Sequence, residues 1–461
     1  MSDKVSLLEE FDAAATAPTP AAAPSAALPR VVLIYILIAA AANLVFGYEN
    51  SVVASGVTDF AVLPAGDTLI SADTVNLQTA FLKGAMALGA TAACPFAGFL
   101  QDGLGRRVTL ILCCIAYLCA VALTATSPAY AFSGYTQMAA GRLLTGCVVA
   151  VFSSTVPMYI AELSPPALRG SLVTVNQVCI CTGILLGYLA SYLFKGNWRV
   201  QFAAATPLAG LSLLAFVFIT PYSPRWLMSK GREKEAREVL NTTLAGDGAA
   251  VEREVGAMKD TIAAIEGTNK YALLMEPHVR WSICIGVMGS IMQQWVGVNA
   301  VNSYAPQIFE SAGSSKDAAH VQTIYIGVAK LVFVLVALAL MDRVGRKPLL
   351  LWGCIGMALS CAGLAASFSL PDGPAKGNTA VVCLVLYMAF FEISLGPILW
   401  LLLSELYPVQ VKGVAMSIGS FVLWCVWAAG WPWCTVRAPP PPPPPTPQTY
   451  TRYTRPRAHP Q

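Results

Sequence analysis

Apolar residues run along this chain in blocks of about 20 or more, each long enough to carry a helix across a bilayer. The blocks lie near 31–56, 75–100, 107–126, 133–161, 170–193 and 200–220, and, after a charged interval at 222–278, near 280–303, 321–341, 348–370, 379–404 and 413–436. The pattern predicts eleven spans and an all-α polytopic membrane protein. The two ends break it. Residues 1–30 are rich in Ala and Pro and acidic, with Asp3, Glu9, Glu10 and Asp12. They carry neither the apolar stretch of a signal peptide nor the arginines of a transit peptide, and are expected to be a disordered cytosolic tail. Residues 437–461 contain the run Pro439–Pro445, which cannot continue a membrane helix because proline lacks the N–H and clashes with the preceding turn.

Composition supports the pattern. The chain has 461 residues, of which 56% are hydrophobic and only 12% charged, about half the charge of a soluble domain. The net charge of +4 sits in the loops and gives no reason to expect nucleic acid. The 13 cysteines lie almost entirely inside the apolar blocks, where they read as small buried hydrophobes. With three His in the chain, and no nucleotide loop or nucleophile constellation, neither an enzyme, a cofactor nor a metal is expected. The expected partners are a lipid bilayer and a small polar molecule, with the chain acting as a monomer.

Loop charge sets the orientation. If the spans alternate, Arg106, Arg107, Arg169, Arg343, Arg346, Lys347 and Lys412 all fall on one side, together with the basic 222–278 interval. That side is expected to be cytosolic. Within the interval, residues 231–240 (GREKEAREVL) have the charge spacing of a surface helix.

The sequence is also duplicated. Asp102-Gly-Leu-Gly-Arg-Arg107 is echoed by Asp342-Arg-Val-Gly-Arg-Lys347, and Glu162 with Arg169-Gly170 by Glu405 with Lys412-Gly413. Two halves, 31–220 and 280–436, are therefore expected on either side of a linker, 221–279. Secondary transporters are commonly built from such repeats, with cargo held between the halves at the membrane midplane. Under this repeat the span at 200–220 maps onto about 443–463, where the proline run stands, so the twelfth span is expected to be lost or replaced.

Polar residues inside the spans are the candidate chemistry, because an unpaired polar group in hydrocarbon costs several kcal/mol. Gln293, Gln294 and Asn299 lie together in GVMGSIMQQWVGVNAVNS, residues 286–303. Neutral amides offer donors and acceptors to a ring of hydroxyls; they serve equally to pair neighbouring helices. Six residues of unbroken helix, about 600°, would put Gln293 and Asn299 on different faces, and Gly297 between them permits local unwinding. Gln177 sits mid-span in the first half, and Trp400 lies too centrally in its block to be an interfacial anchor. Glu49 is an ionisable residue in the first span, expensive there and functional by default. The acids and bases at the cytosolic span ends (Asp102, Arg106, Arg107, Glu162, Arg169, Asp342, Arg343, Arg346, Glu405 and Lys412) could latch the inward side shut. Positive-inside topology alone would explain the bases but not the repeated acids.

The motifs GFLQDGLGRR (98–107), GRLLTG (141–146), PMYIAELSPPALRG (157–170), PYSPRWLMSKGR (221–232), QQWVGVNAV (293–301), DRVGRKP (342–348) and GPILWLLLSELYP (396–408) resemble, in this order, those of the sugar porters of the major facilitator superfamily. The likeness spans about residues 31–430 and is nearest to plant vacuolar and plastidic hexose carriers and bacterial xylose–proton symporters. It implies the major facilitator fold of two six-helix bundles, alternating access, and a hexose or pentose as cargo. It implies that Gln177, Gln293, Gln294 and Asn299 contact sugar, that Trp400 stacks on it beside a helix broken at Gly396 and Pro397, and that Glu392 lies near it. It implies that Glu49 stands where proton-coupled relatives carry a carboxylate, facing an arginine that corresponds to Arg142. A proton is then the expected co-substrate; a permanent Glu49–Arg142 clamp is the alternative. Two positions depart from the family pattern. Leu423, just before Trp424, replaces a sugar-contacting amide, and Lys330 replaces an asparagine. That lysine could bind an anionic cargo, pair with Glu392, or face cavity water. Against a proton-coupled carrier stand a facilitative hexose or polyol uniporter, a non-transporting sugar sensor and an inactive truncated fragment. The membrane, plasma or vacuolar or plastid, is left open.

Overall fold

The computed structural model describes residues 29–61, 72–128, 132–165, 168–266, 270–371, 373–408 and 411–436. The N-terminal tail and the Pro-rich segment lie outside the described residues, as do the side chains of Asp342, Glu405 and Lys412.

The first half opens with α1 (Arg30–Ala61), α2 (Ala72–Leu104), α3 (Arg106–Ala125), α4 (Phe132–Leu163) and α5 (Arg169–Leu193). Its sixth span is split into α6 (Trp198–Ala203) and α7 (Thr206–Phe218). Four short helices follow: α8 (Pro224–Ser229), α9 (Glu233–Thr243), α10 (Gly248–Glu266) and α11 (Lys270–Leu274). The second half has α12 (Pro277–Trp295), α13 (Val298–Ser311), α14 (Lys316–Val344), α15 (Arg346–Ser367), α16 (Pro374–Ile393), α17 (Leu395–Glu405) and α18 (Lys412–Val436). Among the described residues, 10 helical stretches are long and apolar enough to cross a membrane. The remaining expected span, 280–303, is the one divided at Gly297 between α12 and α13. Large apolar side chains face outward along these helices, including Phe99, Phe218 and Trp295, as lipid contact requires.

The duplicated motif folds the same way twice. Gly105 follows α2 with φ 85° and Gly345 follows α14 with φ 86°. Each occupies a positive-φ conformation that glycine adopts without steric cost, and each turn launches the next helix at an arginine.

In the first half α1 packs on α5, and α2 and α3 on α4. Small residues let these backbones touch: a Cβ at Gly47 would sit 2.0 Å from the Ile180 carbonyl oxygen, and one at Gly183 2.0 Å from that of Leu44. In the second half α15 and α14 pack on α16, and α12 on α18. The halves meet where α2 crosses α18, α5 crosses α14 and α1 crosses α13.

The interval between the halves carries its own apolar cluster, centred on Trp226, Leu227, Leu240, Val251 and Met258. Its expected surface helix is α9. Arg237 pairs with Glu233 at 2.9 Å and with Glu252, and Lys259 pairs with Glu233 at 3.0 Å. Arg169 holds the unit to the start of α5 through Glu254 at 3.2 Å.

Candidate functional site

Two helix breaks shape the centre of the molecule. Gly297 takes φ 88° and ψ 16°, left-handed backbone that separates α12 from α13 where the sequence permits unwinding. The turn brings Asn299 back over the end of α12, so its Nδ2 donates to Gln294 Oε1 at 2.6 Å. Asn50 of α1 extends the chain by donating to Asn299 Oδ1 at 3.5 Å. The second break was expected at Gly396–Pro397 and falls instead at Ser394, between α16 and α17. The proline ring clashes with the carbonyl four residues back, that of Ile393, so the distortion is displaced toward the N-terminus. Gln293 fastens this break: its Nε2 donates to the Leu395 carbonyl at 2.9 Å and reaches that of Gly396 at 3.4 Å. Buried Gln293 is thus engaged with backbone, while half-buried Gln294 and Asn299 keep further hydrogen-bonding capacity.

Gln177 of α5 meets the second half at Glu392, donating to its Oε2 at 3.4 Å. Glu392 is fully buried and its Oε1 lies 2.6 Å from Lys330 Nζ. Of the three situations open to Lys330 from sequence, pairing with Glu392 is the one the structure has. Trp400 is half-buried in a cluster that also holds Phe46, Leu399, Leu423, Trp424 and Trp427. Leu423 fills its position as plain apolar packing. Trp424 stacks on Trp427 at 5.0 Å and meets Phe46 at 6.0 Å. It is 1% exposed, yet its indole N–H is without a hydrogen-bond partner in the described structure.

Sequence reasoning passed over Phe46, Asn50 and the unpartnered donor of Trp424. Asn50 adjoins Glu49 and Trp424 adjoins the anomalous Leu423, so position could have flagged both; an apolar Phe in an apolar span carries no such signal. Lys83 was the plainer omission. This buried lysine of α2 donates to the Ser303 carbonyl at 3.1 Å and lies 4.1 Å from the Tyr304 ring centroid.

On the first-half side, Glu49 Oε2 lies 2.5 Å from Arg142 Nη1, and both are 1% exposed or less. Tyr117 donates its hydroxyl to Glu49 Oε1 at 2.7 Å. Arg142 also lies over the Phe202 ring at 5.5 Å.

Arg106, Arg107 and Arg169, at the ends of the spans, find their partners within the first half and the linker. Arg106 pairs with Glu162 at 3.1 Å and with exposed Asp102 at 3.3 Å. The Ser223 hydroxyl donates to Glu162 at 2.5 Å. Arg107 caps α7 by donating to the carbonyls of Phe216 at 2.9 Å and Val217 at 2.6 Å. Arg169 binds Glu254, as above. Arg343 is exposed in the last turn of α14, where a cation suits the helix C-terminus, and Arg346 opens α15. Side chains of Asp342, Glu405 and Lys412 lie outside the described residues. These pairs tie α2, α3, α4 and α5 to one another and to the linker.

Among the described residues, polar bonds between the halves run from the midplane to the opposite, outer ends. Beyond Gln177–Glu392 and Asn50–Asn299, Tyr188 donates to the Asn302 carbonyl at 3.0 Å. Pro306 lies inside α13 and has no N–H to offer that carbonyl, so the other half can take it. Gln307 reaches Ala54 and Thr58 at 3.4 Å, and Lys195 pairs with Asp317. These contacts latch the halves together at that end.

Known proteins resemble this chain in sequence and in fold. The profile of the family described as "Sugar (and other) transporter" matches residues 35–431. The chain is 32% identical over 415 residues to the D-xylose-proton symporter of Escherichia coli strain K12, covering 84% of this chain and 82% of that one. It is 33% identical over 393 residues to a glucose transporter of Staphylococcus epidermidis, covering 85% and 84%. The solved structure of the proton:xylose symporter XylE bound to 6-bromo-6-deoxy-D-glucose superposes with a TM-score of 0.78 at 29% identity, covering 88% of each chain. The matched relatives are transporters rather than enzymes. With the motifs, the interrupted spans and the duplicated turns in place along most of its length, the chain belongs to the sugar porter family of the major facilitator superfamily and is a multi-pass integral membrane protein.

Proposed function

We propose that this protein carries a monosaccharide, a hexose or pentose, by alternating access of two halves, 31–220 and 280–436, with a proton as co-substrate. The cargo sits between the halves against Gln177, Gln294, Asn299 and Trp400, with Gln293 and Glu392 holding the helix breaks and the amide orientation behind them. The indole N–H of Trp424 joins this group. Two features favour an uncharged polyhydroxyl cargo. The central ion pairs, Glu49–Arg142 and Lys330–Glu392, are each neutral as a unit, and the remaining groups are amides and aromatic faces suited to hydroxyl and C–H surfaces.

The observation that carries the coupling is the fully buried Glu49–Arg142 pair with Tyr117 bonded to its second oxygen. Protonating Glu49 removes one charge and leaves the Arg142 guanidinium to find other acceptors. The pair therefore has two discrete arrangements that a proton selects, and an access equilibrium shifts only by such a differential interaction. The same tight geometry also favours a second reading, in which the pair stays ionised and clamps α1 to α4 in a facilitative uniporter. Counterflow of labelled glucose and xylose into liposomes, with and without an imposed proton gradient, separates the two. Accumulation above equilibrium driven by the gradient is expected; uptake that ignores the gradient means a uniporter. Sugar binding without any flux means a sensor.

A further inference from the structure

Lys330–Glu392 is a second buried ion pair, and it reaches the interface between the halves. Lys330 comes from α14, Glu392 from α16, and Gln177, which bonds to the other carboxylate oxygen, from α5 of the opposite half. Lys330 is 2% exposed and Glu392 is fully buried. The other close neighbours of the ammonium are apolar or soft: the Phe391 ring at 5.2 Å and Met388 Sδ at 3.9 Å. The pocket around the carboxylate is tight, since a Cβ at Gly396 would lie 3.0 Å from Glu392 Oε2.

The chemistry of the three groups fixes an orientation. An ionised carboxylate only accepts hydrogen bonds, so Gln177 must present its NH2 to Glu392. Its Oε1 is then the end left to accept from a cargo hydroxyl. The ammonium is what compensates an ionised carboxylate in this apolar pocket. A protonated carboxyl can donate as well as accept, so Gln177 could turn either end toward it.

We propose that Lys330 is a positioning residue for the cargo. It keeps Glu392 an acceptor and so dictates which end of the Gln177 amide meets the sugar. This assignment rests on the carrier reading and deepens it. It also removes Lys330 as an anion site, because its charge is spent on Glu392.

The test compares Lys330→Met, Lys330→Arg, Glu392→Gln and the double variant K330M/E392Q in the full chain. Counterflow gives KM and the maximal rate, tryptophan fluorescence gives binding without flux, and monodeoxy glucose analogues are the competitors. K330M is expected to raise KM about tenfold with a much smaller change in maximal rate, the cost of one misoriented hydrogen bond. It should also lose its discrimination against one deoxy analogue, the one lacking the hydroxyl that Gln177 accepts from. K330R should behave as the parent. The double variant should lose discrimination as K330M does, because a neutral Gln at 392 can donate as well as accept and no longer fixes the Gln177 amide. Should K330M fail to fold, K330R and the double variant carry the test. An unchanged KM and analogue profile in K330M overturns the proposal. So does a fall in maximal rate alone, new uptake of sugar acids by the parent chain, or a folded double variant that keeps the parent's discrimination. A parent chain that neither binds nor moves any sugar sinks the carrier reading instead, and is recognised before any variant is made.

Discussion

Glu49 and Arg142 place opposite charges side by side in a fully buried site. Removing one member of such a pair leaves the other uncompensated, typically about 3–5 kcal/mol of destabilisation. Glu49→Gln keeps an acceptor for Arg142 and for the Tyr117 hydroxyl but cannot lose or gain a proton. It is expected to abolish gradient-driven accumulation while counterflow exchange continues. Glu49→Ala should instead lower thermal stability markedly in detergent. Equal accumulation by E49Q and the parent would remove Glu49 from coupling. Trp424→Phe keeps an aromatic face and deletes only the unpartnered N–H. If that donor serves the cargo, KM should rise by roughly fivefold, the worth of about 1 kcal/mol of hydrogen bond, with the maximal rate preserved in counterflow. The residue scale is also where sequence reading was least complete. It named Gln293 alongside Gln294 and Asn299, but could not tell that Gln293 is spent on the carbonyls of Leu395 and Gly396. Which partner an amide finds depends on a helix 100 residues away in the chain.

Helices α12 and α13 meet at a residue whose backbone only glycine adopts without strain. Gly297→Ala leaves open space for the methyl but forces a left-handed φ on an L-residue, at roughly 1–2 kcal/mol. The variant is expected to melt lower and to bind sugar more weakly, since a straightened helix carries Asn299 away from Gln294; unchanged affinity would separate the break from the site. The linker helices respond to pH. Hydrogen bonds from Lys259 and Arg237 hold the Glu233 carboxyl below its usual range, and one from Arg237 does the same for Glu252. A carboxyl whose folded value is depressed stabilises the fold above the unfolded value, about 4.3 for Glu, and that stabilisation is lost as pH falls through the folded value. All these groups are solvent-exposed, so the contribution is small and salt-sensitive. Hydrogen exchange in α9 and α10 should accelerate as pH is lowered through the acid range, after correction for intrinsic rates, and Glu252→Gln should flatten that dependence. Most span ends were legible from sequence to within about five residues, because a bilayer-length apolar run admits few alternatives. The break at Ser394 rather than Gly396 was not, because the strain of Pro397 is relieved upstream of the residue that causes it.

Across the whole molecule, the outer latch is assembled from backbone carbonyls as much as from side chains. Tyr188, Lys83 and Gln307 each reach across to a main-chain oxygen of the other half. Such bonds are readily exchanged for water, so they bias an equilibrium between access states without freezing it. Tyr188→Phe together with Lys83→Met is expected to open the outer side. Spin labels on Thr126 and Ser369, both exposed at outer helix ends, should then report a longer mean distance in the double variant than in the parent. An unchanged distribution would show that apolar packing of α5 on α14 holds that side alone.

The sequence by itself determined the spans, the duplication, the family and most of the central polar residues, because each of these is written in local periodicity or motif order. Tertiary structure alone decided the partners. It set Lys330 against Glu392, committed Gln293 to backbone, left the Trp424 indole without a partner among the described residues and tied Arg106 and Arg169 into the first half and its linker. Spacing along a helix says which face a side chain occupies. Which groups meet it there depends on how the two halves are rotated against each other, and that angle is a property of the packed molecule.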